Sequence, residues 1–191
     1  MGKTENCVGE SGRKGEQGQN VDDFSEEMSD EEFAEVCTEH QNKFALLKNE
    51  YSSLFEYPGI KMASQDKIFP YMKDINMDEI AVIITNQELP GLFTSGLGVC
   101  IAVMARGFSE KNGTCLGLSH FTIMKPQEVL SKIQKKLTNL GCKLESIEFY
   151  LVGGQMPYRD GPEVAGLYTL DTESEFLSLS KEFNIVGAQF N

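Results

Sequence analysis

The spacing of apolar positions divides this chain of 191 residues into a helical front and an α/β remainder. Phe33, Cys37, His40, Phe44, Leu47, Tyr51 and Leu54 recur at alternating steps of four and three, which predicts the buried face of one helix. Ser29 with Glu32 three residues on forms a capping box at its start, acids in the first turn suit the helix dipole, and Pro58-Gly59 ends it. Residues 60–79 carry no period and read as an irregular connector. Beyond 80 the runs turn short and β-branched. Ile80–Thr85 and Val99–Ala105 predict strands, the second ending at Arg106-Gly107. Cys115–Met124 predicts the returning strand of a hairpin whose loop, 108–114, holds Lys111-Asn112-Gly113. Pro126 at a first helical position, then Val129, Leu130, Ile133, Leu137 and Leu140, then Gly141, describe a complete helix. Ile147–Val152 predicts a strand running into Gly153-Gly154, Asp171–Phe183 a helix, and Ile185–Phe190 a last strand. This order predicts an α/β fold with a mixed, partly antiparallel sheet plus an N-terminal helix.

Charge changes the picture at the front. Residues 1–40 hold twelve acids and three bases, so most of the net charge of −12 sits there. Residues 1–28 combine that charge with few apolar groups and read as a disordered acidic tail. Three segments result: the tail at 1–28, a helical extension and connector at 29–79, and an α/β domain at 80–191. Without clustered Lys and Arg, no nucleic-acid partner is expected. No run of about 18 apolar residues exists, so no membrane span is expected, and the start does not resemble a signal peptide. The five cysteines fall in no CxxC or Cys/His spacing, which disfavours a disulfide scaffold or a zinc site and fits reduced thiols in a cytoplasmic compartment.

The candidate chemistry lies in Thr94-Ser-Gly-Leu-Gly-Val-Cys100 and Gly117-Leu-Ser-His120-Phe. Gly96 and Gly98 allow a sharp turn and close approach of a substrate, and backbone N–H groups in such a turn can face an oxyanion. A histidine can hold a nearby thiol as the nucleophilic thiolate, and two strands returning side by side would set Cys100 opposite His120. Taken singly, a cysteine is most often a buried structural residue and a histidine on an apolar strand a satisfied core residue; the glycine turn and the pairing favour an active site. Cys115 is a rival nucleophile, but five residues along one strand put it about 16 Å from His120. Cys142, past a helix end, and His40, on the helix stripe, read as packing residues.

These segments resemble the CheD family of chemoreceptor glutamine deamidases over roughly 80–190. Thr94–Cys100 is similar to its nucleophile turn, Leu118-Ser-His120-Phe to its histidine strand, and Leu151-Val-Gly153-Gly154-Gln155-Met156 to its glycine-pair segment. The resemblance implies an α/β sandwich and a catalytic group of Cys100, His120 and Thr94. It also implies a lining of Gly96, Gly98, Val99, Ser119, Gly153, Gly154 and Gln155. The implied reaction converts a substrate protein's glutamine to glutamate with release of ammonia, with no metal or cofactor. The chain departs from the family pattern at Val99 and Gln155, in a longer loop at 106–116, in lacking the family's late stretch, and in its acidic front. These departures put the substrate in question and make a bacterial effector acting on a host protein one expectation. A catalytically inactive binding module, with the N-terminal helix as docking arm, is an alternative. Transglutaminase- or protease-type acyl transfer by the same pair is another.

Overall fold

A computed structural model describes residues 28–59, 72–86, 88–122, 124–160, 163–166 and 169–190. The expected acidic tail, apart from Met28, and most of the connector lie outside the described residues. The N-terminal stripe forms α1 (Asp30–Glu50), capped by Ser29 with the reciprocal Glu32 bonds of the capping box. The helix breaks at Tyr51, earlier than the periodicity implied, and a short second helix, α2 (Ser52–Phe55), continues the stripe.

Five strands make one mixed sheet. In chain order they are β2 (Ile80–Ile84), β4 (Ile101–Ser109), β5 (Gly113–Phe121), β6 (Glu148–Gly153) and β9 (Ile185–Phe190); in space the order is β2-β5-β4-β6-β9. All neighbours are antiparallel except β6 and β9. Two small ribbons flank the sheet: β1 (Lys73–Asp74) with β3 (Leu92–Phe93), parallel, and β7 (Tyr158–Asp160) with β8 (Glu163–Ala165), antiparallel. The helices are completed by α3 (Pro126–Asn139) and α4 (Thr169–Ser178), and a 3₁₀ turn at Leu179–Lys181 replaces the last turn of the expected 171–183 helix.

The β4–β5 hairpin is longer than the sequence suggests. Pairing runs through Arg106↔Leu116 and Gly107↔Cys115 to Ser109↔Gly113, so Arg106-Gly107 does not end the strand. Gly107 is tolerated mid-strand because Cys142 and Ile147 pack where its side chain would be.

Strand alternation sorts the side chains. Ile101, Val103, Ala105, Cys115, Phe121, Phe149 and Leu151 face one side and form the main core with Val129, Leu130, Ile133 and Leu137 of α3, and Phe176 and Leu177 of α4. Leu47 joins the same core, so α1 packs on the domain. Ala81, Ala102 and Leu118 face the other side, where Ile75, Leu92 and Leu97 cover them. The segments around Ile75 and Leu92–Leu97 thus lie over the second face, and the candidate residues gather at one end of it.

Candidate active site

His120 lies near the end of β5, 3% exposed, on the second face. The register places Ala102, not Cys100, directly opposite it. Cys100 precedes β4 by one residue; extending Ile101↔Phe121 sets it across from Thr122 and diagonal to His120, on the same face. Such diagonal neighbours lie about 7–8 Å apart at their Cα atoms, and Cys100 and His120 form no hydrogen bond with each other. Cys115 stands on the opposite, helix-covered face with 0% exposure, which removes it as a rival.

Thr94 follows β3 and reaches the imidazole. Its Oγ1 lies 2.8 Å from His120 Nδ1 and 2.7 Å from the carbonyl of Ile75. A hydroxyl has one proton, and the Ile75 carbonyl can only accept. Thr94 therefore donates to Ile75 and accepts from Nδ1–H, which in the neutral ring makes Nε2 the nitrogen without a proton. Among the described residues Nε2 is buried and has no partner. The imidazole is thus held in one orientation by Thr94.

The nucleophile turn is closed by Cys100 N–H donating to Leu97 O at 2.5 Å, with Gly98 at φ 45° in the second position. That φ is the reason for a glycine there. The closure occupies Cys100's own N–H, whereas the N–H groups of Gly98 and Val99 have no internal hydrogen-bond partner among the described residues. Gly153, with φ 128°, pairs with Ile101, and any Cβ there would collide with the Cys100 carbonyl. Gly154 N–H donates to that same carbonyl at 3.0 Å. The glycine pair thus locks the backbone of Cys100. Gln155 Oε1 approaches Gly98, so its side chain spans the turn and the glycine loop. Gly96 opens to space, and Val99 is 41% exposed at the mouth. Ser119 does not join the lining: it is fully buried beside Val103 and Ile80 on the helix-covered face, because consecutive strand residues point to opposite sides.

Two carboxylates complete the surroundings without having been singled out in the sequence. Asp78 sits in the turn before β2; its N–H donates to His120 O at 2.8 Å and its carboxylate accepts from Thr122 Oγ1. Glu173 of α4 is 1% exposed, unpartnered among the described residues, and pressed against Gly154 from behind. Burial pushes its pKa up to about 7. The spacing Leu170, Glu173, Phe176, Leu177 already places it on the apolar stripe of its helix. Burial, and secondarily the Asp78 charge, push the Cys100 thiol upward from its ordinary range.

No described helix is long and apolar enough to cross a membrane. The chain matches no protein-family model and no curated protein sequence.

Proposed function

We propose that the chain is a cysteine-dependent protein glutamine deamidase of the CheD-like type. The observation that carries this reading is the Thr94–His120 tether. It leaves a bare Nε2 on the sheet face and at the strand end where Cys100 stands. His120 Nε2 takes the thiol proton as Cys100 Sγ bonds to the carboxamide carbon, and the N–H groups of Gly98 and Val99 face the oxyanion. The imidazolium returns the proton to the departing ammonia, leaving a thioester. Nε2 then deprotonates a water that attacks the thioester, and glutamate and the thiol are released. The substrate is a protein, the reaction draws on no cofactor, and the compartment is a cytoplasm, that of the producing cell or of a host.

The test is incubation of the chain with a host-cell protein extract, reading ammonia by a coupled assay and amide-to-acid conversion by peptide mass. Cys100→Ser is expected to abolish both while keeping the thermal unfolding profile. Amine incorporation or cut chains in place of conversion would assign transglutamination or proteolysis. Full conversion by the Cys100→Ser protein would end the assignment.

A further inference from the structure

Asp78 is held with unusual care for an exposed residue. Glu79 N–H closes on Asn76 O at 3.0 Å, and Asp78, third in that turn, has φ 57°, the one positive φ outside glycine among the described residues. Aspartate tolerates this region better than most residues, at a cost on the order of 1 kcal/mol. Both of its anchors, His120 O and Thr122 Oγ1, belong to the end of β5 that carries the imidazole. Thr122 is the position across from Cys100. The carboxylate therefore stands near Cys100 and open to solvent, and the chain neighbours of the two, Met77 and Val99, are exposed as well. It does not serve the imidazole, since Nδ1 is already engaged by Thr94 and Asp78 meets only the backbone of His120.

We propose that Asp78 is a specificity-determining residue, selecting target segments that carry a lysine or arginine next to the glutamine. Met77 and Val99 take the apolar part of the same segment. The substrate half of this inference rests on the deamidase reading; the local field does not. Titratable groups from the elements around Cys100 are Asp78 before β2, with Glu79 of the same turn paired to Lys73, His120 on β5 and Glu173 on α4. Asp78 is the one whose charge raises the thiol. A cationic side chain docked over Asp78 offsets that charge, so the matching substrate also eases deprotonation of Cys100. Charge selection and activation become one event.

The field can be read without any substrate. Cys100 is modified with methanethiosulfonates bearing a trimethylammonium, a sulfonate or no charge, and peptide mass isolates the reaction at that residue. The cation-to-anion rate ratio is expected to be roughly tenfold higher in the wild type than in Asp78→Asn, the low end of electrostatic rate effects in a charged cleft. The neutral reagent should react faster with the variant. Glu145→Gln makes the same change in net charge at the far end of the sheet, beside Phe108, and should leave the ratio alone. An Asp78→Asn ratio equal to wild type overturns the proposal. Should that variant misfold, added salt decides on the wild type: the ratio must fall as screening shortens, and a salt-independent ratio overturns the proposal equally. With deamidation in hand, glutamine peptides flanked by Lys must exceed those flanked by Glu in kcat/KM, and no preference overturns the specificity role. A charge ratio that behaves as expected without any ammonia release counts against the deamidase reading alone.

Discussion

At the scale of single residues, the site turns on the proton of Thr94. Its hydroxyl is committed to Ile75 O, and this fixes the tautomer of His120. Thr94→Val keeps the shape but leaves Nδ1 buried without a partner, a loss of about 1–3 kcal/mol in orientation. The expected result is a roughly tenfold to hundredfold slower alkylation of Cys100 near neutral pH, with a changed pH profile. Thr94→Ser should restore both; equal rates in the Val and wild-type proteins would remove the tether from the mechanism. Cys100 and His120 stood out in the sequence as candidates because their chemistry is rare and their glycine context is specific. Thr94 was reachable only through family resemblance, since a threonine beside a glycine turn has many ordinary roles. Asp78 was silent: nothing in Asn76-Met-Asp-Glu79 announces that a turn and a strand register will bring it near Cys100. Ser119 was misplaced although the sequence held the answer, because a strand that turns His120 toward the site turns its neighbour away.

At the scale of elements, α1 was legible from its capping box and its stripe, but not what the stripe meets. It packs on α4 and its neighbours, and its start is gripped by Arg159 of β7, five residues beyond the glycine pair. That guanidinium donates to the carbonyls of Met28 and Ser29 at 2.9 and 2.8 Å and lies 5.0 Å over the Phe33 ring. It also pairs with Asp30, whose full exposure makes that pair worth little. The flanking ribbons β1–β3 and β7–β8 escaped the sequence because two- and three-residue strands leave no period to detect. Arg159→Ala should destabilise the docked helix by about 1 kcal/mol. In hydrogen exchange, amides of the first turns of α1 should lose protection while those of α3 do not. Unchanged exchange in α1 would mean that the stripe alone holds the helix.

At the scale of the molecule, the α/β class followed from the order of the runs, whereas which sheet face the helices cover did not, because apolar residues fall on both faces of β5. What the sequence hid is that two buried titratable groups set opposite pH limits. Burial, and secondarily Lys43, hold His40 below its ordinary range, so its contribution is lost as pH falls below the unfolded value of 6.5. Glu173 works the other way. Its folded pKa of about 7 lies above the ordinary 4.5, so the folded state binds the proton more tightly than the unfolded one. Stability is therefore unburdened below about 4.5, falls as pH rises between those values, and is reduced by about 3 kcal/mol above 7. The burden falls on α4 directly behind Gly154, whose N–H holds the Cys100 carbonyl. Glu173→Gln keeps the shape and cannot ionise. Urea unfolding should find it more stable than wild type by about 1–3 kcal/mol at pH 8, nearly equal at pH 4.5, and free of the decline between them. If wild type and variant lose stability in parallel across that window, Glu173 is not the group that titrates.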